Sequence, residues 1–176
     1  MTRQEYIECL KCELYGDKHI RLLSKVRIKY FQPNTNCMYL ARKMWYLYER
    51  GGIRRVYSKL LYLRIIHRYG CLIFPYAQVG KGFRIAHPVG IVIGKCSIGE
   101  NFSIYQNCTI GTKHPGDEKL NLCPQIGNNV NLYSGSMIFG AVNICDNVSI
   151  GANSVVLESI SLSGIYVGSP AKAVIN

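Results

Sequence analysis

The sequence predicts a mainly β protein, a left-handed parallel β-helix preceded by a short α-helical segment. The first supporting observation is an aliphatic residue at every sixth position through most of residues 71–176. A period of six fits neither an α-helix nor an alternating strand. It fits three short strands per turn of a triangular coil, which is a hexapeptide-repeat solenoid of stacked turns. The aliphatic positions are Ile73, Val79, Ile85, Val92, Ile98, Ile104, Ile110, Ile126, Leu132, Ile138, Ile144, Ile150, Val156 and Leu162.

Two further observations support the coil. A small or apolar residue stands four positions after most of the aliphatic ones, and Gly or Asn stands where the corners fall. Both corner residues suit turns that need a positive φ. The count slips by one residue between Ile85 and Val92, and we expect Val92 to point inward. From Ile110 to Ile126 the spacing is too long for one repeat, so residues 112–125 are expected to leave the wall as a loop, where function is common.

Residues 1–70 form a separate basic region in this interpretation. They hold 15 Lys and Arg against 5 Asp and Glu, a net charge of +10, whereas residues 71–176 hold 6 against 5. Three helices are expected: one within residues 1–32, one from Cys37 to Arg50 with Thr35 or Asn36 as its cap, and one from Ile53 to Tyr69. Apolar stripes on these helices would pack within the protein or on another subunit. Their basic faces could instead meet an anionic glycan or membrane surface.

Composition excludes several classes of protein. No apolar run is long enough to span a membrane, and Met1–Leu10 lacks a signal-peptide core, which favours a cytoplasmic protein. Cys9 and Cys12 form a lone pair without histidine at metal-ligand spacing, so we expect no metal site. No nucleic-acid-binding module is recognisable, and no phosphate-cradling loop or serine-hydrolase elbow is present.

Two histidines are candidate general bases, because a neutral imidazole can take a proton from an alcohol near pH 7. His87 lies in the first coils, within Ile85-Ala-His-Pro-Val-Gly90. His114 lies in the loop, within Thr112-Lys-His-Pro-Gly116. Either could instead be a structural residue, His87 bonded to backbone at a corner or His114 solvated in the loop.

The run from His87 to Gly94, followed by Ile98-Gly-Glu-Asn-Phe-Ser-Ile-Tyr-Gln-Asn-Cys-Thr-Ile-Gly111, resembles the serine acetyltransferase branch of the hexapeptide-repeat acyltransferases. The resemblance covers roughly residues 70–175. It implies that His87 deprotonates an acceptor hydroxyl for attack on acetyl-CoA, in sites between the subunits of a homotrimer. It also implies that Gly111, Ser134 and Ala152 contact the donor, and that Lys172, in Gly168-Ser-Pro-Ala-Lys172, lies near the CoA phosphates.

Three departures concern the acceptor. Ala86 and Leu72 stand where the resembling enzymes have Asp, and Leu122-Cys-Pro124 stands where their loop has Arg-His-Pro. We therefore expect the hydroxyl of a saccharide in surface-glycan synthesis as the acceptor, rather than L-serine. Serine O-acetylation for cysteine biosynthesis is the alternative within this family. A non-catalytic solenoid scaffold is the alternative from another class.

His114-Pro115 also resembles the loop of the galactoside and nodulation acetyltransferases, which makes His114 the second candidate base. Asp117 and Glu118 could orient either imidazole across a subunit boundary. No acyl-enzyme is required by this chemistry, so Cys123 need not be a nucleophile.

Overall fold

The computed structural model describes residues 1–16 and 22–174, and for Lys25 and Lys29 it describes the backbone alone. The described chain begins with four helices: α1 (Arg3–Tyr15), α2 (Leu22–Phe31), α3 (Pro33–Glu49) and α4 (Gly52–Tyr69). Two helices, α1 and α2, therefore stand where one helix was predicted within residues 1–32. Helix α1 begins with a capping box, in which the Thr2 hydroxyl accepts from the Glu5 N–H and the Glu5 carboxylate accepts from the Thr2 N–H.

The predicted cap of α3 is wrong. The helix begins at Pro33, whose fixed φ suits the first helical position, and Gln32 is the cap residue. Thr35 and Asn36 are therefore inside the first turn, where the Thr35 hydroxyl donates to the Gln32 carbonyl at 3.2 Å. Helix α4 ends at Gly70, which adopts the left-handed conformation.

Fifteen short strands follow within the described residues, and they build a parallel solenoid of about five turns with the predicted mainly β architecture. Each of the first four turns contributes one strand to each of three sheets. Sheet A contains β1 (Leu72–Ile73), β4 (Val92–Ile93), β7 (Thr109–Gly111), β10 (Met137–Phe139) and β13 (Val155–Val156). Sheet B contains β2 (Gln78–Val79), β5 (Ser97–Ile98), β8 (Gln125–Ile126) and β11 (Asn143–Ile144). Sheet C contains β3 (Arg84–Ile85), β6 (Ser103–Ile104), β9 (Asn131–Leu132), β12 (Val148–Ile150), β14 (Gly164–Val167) and β15 (Lys172–Ala173).

Most predicted inward positions are buried, from Ile73 through Val156. Two are wrong. Val92 lies half-buried beside Leu72 on sheet A, and its neighbour Ile93 is the inward residue, because the corner after Ile85 holds one residue more than the count allowed. Leu162 is 72% exposed, because the last turn reaches sheet B through a single bridge between Ile144 and Ile160. The predicted loop is also one residue shorter, since Gln125 belongs to β8.

The corners between sheets B and C carry an asparagine ladder. Asn101 donates through its amide nitrogen to Asn129 at 3.0 Å, and Asn129 donates to Asn147 at 3.0 Å. All three residues have a positive φ, which asparagine tolerates better than most residues. The ladder therefore joins successive turns at the position where each turn bends.

Helix α3 attaches the helical region to the first turn. Its indole donor, Trp45 Nε1, donates to the Phe74 carbonyl at 3.0 Å, and its Arg42 guanidinium donates to the carbonyls of Val79 and Gly80, each at 2.7 Å. One continuous apolar core runs from these helices into the solenoid. The helices therefore cover the first turn, which is the turn that leads to His87.

Candidate active site

His87 lies on the corner that leads from sheet C into sheet A. It stands two residues after the end of β3 and is exposed, and its ring meets Tyr105 edge-on with 6.5 Å between the ring centroids. Tyr105 in turn contacts Tyr133 at 5.1 Å between the centroids. These three rings occupy the same corner in successive turns, which we call the C/A edge. The imidazole is therefore open to a ligand on one side and supported by aromatic rings along the edge.

The C/A edge also carries two of the residues predicted to contact the donor. Ser134 follows β9 and Ala152 follows β12, so each occupies the corner that His87 occupies in the first turn. Backbone hydrogen bonds connect these corners: Asn107 N–H donates to the Val89 carbonyl at 2.9 Å, and Asn153 N–H donates to the Ser134 carbonyl at 2.9 Å. The structure thus aligns His87, Ser134 and Ala152 along one edge.

Gln106 contributes an unusual group to the same edge. Its side-chain Oε1 is buried and has no hydrogen-bond partner among the described residues. A buried acceptor without a donor is costly unless a ligand or water supplies one. The edge therefore has an acceptor available between the turn of His87 and the turn of Ser134.

Lys172 lies at the far end of the solenoid from His87. It stands in β15, which folds back antiparallel on β14, and Ala171 N–H donates to the Val155 carbonyl of sheet A at 2.8 Å. This returning segment crosses from sheet C onto sheet A at the last turn. The side chain is exposed, and its ammonium lies 3.5 Å from Glu158 Oε2 in a surface ion pair.

Gly111 and His114 lie on the other edge of sheet A. Gly111 ends β7, and the loop of residues 112–124 leaves there toward β8 of sheet B, on what we call the A/B edge. Sheet A therefore separates these two residues from His87 within one chain. A Cβ at Gly111 would meet only ordinary contacts with Phe139, so space alone does not require glycine there.

The loop is held by its own polar groups. The Asp117 carboxylate accepts from the His114 N–H at 2.8 Å, and the Glu118 carboxylate accepts from the Gly116 N–H at 3.1 Å. Lys95 donates to the Glu118 carbonyl and to Asn121 Oδ1, each at 2.7 Å. Both loop carboxylates thus bind loop backbone, and their predicted action on an imidazole stays a prediction.

No model of a known protein family matches the chain. A curated relative, the serine acetyltransferase of Staphylococcus epidermidis, is 46% identical over 106 residues, which are 60% of this chain and 49% of the relative. A solved serine acetyltransferase in complex with CoA superposes with a TM-score of 0.79 and 26% identity, covering 98% of this chain and 71% of that one. The Neisseria gonorrhoeae serine acetyltransferase in complex with serine gives a TM-score of 0.79 and 28% identity, covering 96% and 69%.

In sequence and in fold, the chain is similar to the serine acetyltransferase-like branch of the hexapeptide-repeat acyltransferases. It spans about half the length of the curated relatives that it matches. These comparisons overturn one expectation from the sequence, that the acceptor is a saccharide in surface-glycan synthesis. The relatives and the solved neighbours are named serine acetyltransferases, and one neighbour contains serine, so the matches point to the alternative given above.

The residues at the three departures lie at different places around sheet A. Leu72 is 39% exposed and pairs with Val92 on the outside of sheet A, and Ala86 is half-buried beside His87. In the loop, Leu122 is exposed and Cys123 is half-buried. Partial burial raises the pKa of the Cys123 thiol, which disfavours the thiolate and gives no support to a nucleophilic role.

Sequence reasoning missed three residues beside His87. Tyr105 and Tyr133 each directly follow a buried aliphatic residue at the turn period, and this shared position was the available signal. Arg68 gave no signal, because it lies in α4. It lines a surface pocket of about 350 Å³ with Tyr69, Pro88 and Val89, directly after His87 in the chain. Arg68 therefore lies beside the segment that directly follows the candidate base.

No metal-binding cluster is evident among the residues that the structure describes. Across residues 1–16 and 22–174, no group of three or more His, Cys, Asp or Glu side chains is placed to hold an ion. None of the helices in these ranges combines the length and apolarity needed to cross a bilayer.

Proposed function

We propose that this protein transfers the acetyl group of acetyl-CoA to the hydroxyl of L-serine, in the cytoplasm, where this thioester is available. The observation that carries the proposal is the position of His87 at one end of an edge that runs past Ser134 and Ala152 toward Lys172. The relatives named for this reaction and the neighbour solved with CoA support it.

The C/A edge suits an elongated donor. Successive turns of a parallel coil are spaced like neighbouring strands, so the edge rises about 19 Å from the first turn to the fifth. In our proposal the thioester lies at His87 and the pantetheine arm follows the edge, where an amide N–H can satisfy Gln106 Oε1. The exposed ammonium of Lys172 then meets the CoA phosphates at the other end.

The chemistry needs no covalent enzyme intermediate. The neutral His87 imidazole takes the serine hydroxyl proton while the oxygen attacks the thioester carbonyl carbon. The resulting oxyanion collapses, the C–S bond breaks, and the CoA thiolate receives the proton from the imidazolium. O-acetylserine and CoA leave, and His87 is again neutral.

The acceptor carboxylate requires a cation, because the loop has no arginine in Leu122-Cys-Pro124. We assign this role to Arg68, which lines the pocket with Pro88 and Val89. A guanidinium binds a carboxylate through two parallel N–H donors. The proposal requires that a serine held there reach His87, the residue directly before Pro88 in the chain, with its hydroxyl.

A trimer would complete the site. One chain keeps His87 and the loop of residues 112–124 on opposite edges of sheet A. In a threefold arrangement, the C/A edge of one subunit lies beside the A/B edge of the next, so that a partner loop can cover His87. Light scattering coupled to size exclusion would give three chain masses if this is correct and one or two if it is wrong.

The test of the reaction is thiol release from acetyl-CoA with L-serine, with L-serinamide as the matched acceptor that lacks the carboxylate. We expect turnover with L-serine and a much higher KM for L-serinamide. Equal turnover with both acceptors would contradict a carboxylate clamp. Absence of turnover with either, together with no measurable CoA binding, would favour the non-catalytic scaffold.

A further inference from the structure

Helix α4 has two apolar faces, although a helix that packs on one side needs only one. Its inner face buries Ser58, Leu61 and Ile65. A second stripe lies on its outer side at spacings of three, four and three residues, and all four of its side chains are exposed. The outer stripe consists of Ile53 (85% exposed), Val56 (59%), Leu60 (56%) and Leu63 (48%).

The Arg and Lys side chains of α4 have no acidic partner within the helix, so the helix is strongly positive. Its sequence contains five Arg and Lys residues and no Asp or Glu. Lys59 and Arg64 are exposed and flank the outer stripe, one on each side of Leu60 in the helical projection. The outer stripe is therefore an apolar strip bordered by cations.

This charge distribution decides between occupants. A second copy of the chain on this stripe would bring Lys59 and Arg64 of one helix against the same residues of the other, and like charges beside a helical seam are destabilising. An anionic surface would meet the same cations favourably. The excess of ten positive charges in residues 1–70 extends this preference to the whole helical region.

The position of the helix allows contact with a flat surface. Helix α4 packs on α3 and on β1, so the helical region lies at the first-turn end of the solenoid. Helix α2 of the same region also exposes apolar side chains, Leu22 (77% exposed), Leu23 (84%) and Phe31 (75%). In a threefold assembly, three such ends would face the same direction.

We propose that the outer stripe of α4 binds the surface of a bilayer that contains anionic lipids. Helices of this kind lie in the interface, with the apolar strip at the boundary of head groups and acyl chains. The ammonium and guanidinium groups at the border then reach the lipid phosphates, with their alkyl stems along the apolar surface. The acetyl transfer proposed above does not require this contact.

Sedimentation with vesicles tests the proposal. The probes are phosphatidylcholine vesicles with and without phosphatidylglycerol, and the wild-type chain is expected to pellet only with the anionic ones. The Ile53→Ser/Leu60→Ser variant is expected to lose at least tenfold in binding. The matched control, Leu157→Ser/Leu162→Ser, removes exposed leucines from the last turns of the solenoid and is expected to bind like the wild type.

A charge series completes the test. The double variant Lys59→Gln/Arg64→Gln is expected to bind anionic vesicles several-fold more weakly and with a smaller dependence on salt. The control Lys11→Gln, on the exposed side of α1, is expected to bind like the wild type. Thermal unfolding and thiol release should be unchanged in every variant, which separates this proposal from the proposed reaction. The proposal is overturned if the wild type ignores anionic vesicles, or if Ile53→Ser/Leu60→Ser lowers the oligomeric state instead, which would make the stripe a protein interface.

Discussion

Arg42 and Glu13 form a buried ion pair that joins α3 to α1 at the first turn of the solenoid. Arg42 Nε donates to Glu13 Oε2 at 3.1 Å, a second guanidinium nitrogen donates to Oε1, and both side chains are 1% exposed. Glu13 also accepts from the Phe83 N–H at 3.1 Å. The pair therefore connects two helices and the solenoid through a single set of hydrogen bonds.

Replacing Glu13 by Gln is expected to destabilise the fold by about 3–5 kcal/mol, because the Arg42 guanidinium would remain buried without a countercharge. Urea denaturation followed by circular dichroism measures the change. Glu8→Gln, the same substitution at an exposed position of α1, is the control and should change the free energy of unfolding by less than about 0.5 kcal/mol. Equal midpoints for the two variants would show that the pair does not stabilise the junction.

The proposed path of the donor predicts a steric effect at Ala152. This residue is exposed on the C/A edge, so Ala152→Trp would place an indole where the pantetheine arm should lie. We expect the KM for acetyl-CoA to rise by at least tenfold while the KM for serine changes little. Glu100→Trp places the same bulk on an exposed corner between sheets B and C and should leave both constants unchanged. A normal KM for acetyl-CoA in Ala152→Trp would exclude this edge as the donor path.

The assignment of Arg68 predicts a selective loss of acceptor binding. Arg68→Ala should raise the KM for L-serine by about 10-fold or more, since a charge-assisted pair is lost, and should leave the KM for acetyl-CoA near its wild-type value. Arg54→Ala removes an exposed cation from the other end of α4 and serves as the control. If Arg68→Ala affects L-serine and L-serinamide equally, the guanidinium does not bind the carboxylate.

The hydrogen bonds to the Asp146 carboxylate predict that the stability of the fold depends on pH. Its carboxylate accepts from the Asn128 N–H at 2.7 Å, and hydrogen bonds from Asn128 hold the pKa of Asp146 below its ordinary value of 3.8. The unfolded chain therefore binds this proton at a higher pH than the folded chain does. The stabilisation is present above pH 3.8 and is lost as the pH falls through the folded-state pKa.

The variant Asp146→Asn lacks this titration. The difference in urea midpoint between the wild type and Asp146→Asn should be constant at neutral pH and should shrink as the pH falls below 3.8. A difference that does not change across this range would show that Asn128 does not stabilise the ionised carboxylate.

The sequence was sufficient to predict the solenoid, because a period of six leaves a buried row that only a three-sided coil explains. It failed at Val92 and Leu162 for a physical reason. Corners vary in length without disturbing the strands: Ile93 comes eight residues after Ile85, whereas Ile160 comes only four residues after Val156, so a count that passes through a corner loses its register. The division between α1 and α2 was missed, although Gly16, the C-cap of α1, is of the residue type that commonly ends a helix.

Only part of the arrangement of the candidate site could be predicted from the sequence. His87, Ser134 and Ala152 share an edge because each follows a strand of sheet C, and the repeat count contains this information. The pocket beside Arg68 was not predictable, because it depends on how α4 packs against the first turn. The relation of His87 to His114 depends on a neighbouring subunit, which one sequence does not contain.

The most direct test of the central claim is the rate of acetyl transfer to L-serine by His87→Ala, compared with wild type and with His114→Ala. Thiol release from acetyl-CoA would be followed under saturating conditions. If His87 is the general base, kcat should fall by about 10²–10⁴-fold in His87→Ala with little change in the KM for acetyl-CoA. His114→Ala should retain activity within a few-fold of wild type. Unchanged turnover in His87→Ala, or a large loss confined to His114→Ala, would contradict the account and place the base in the loop.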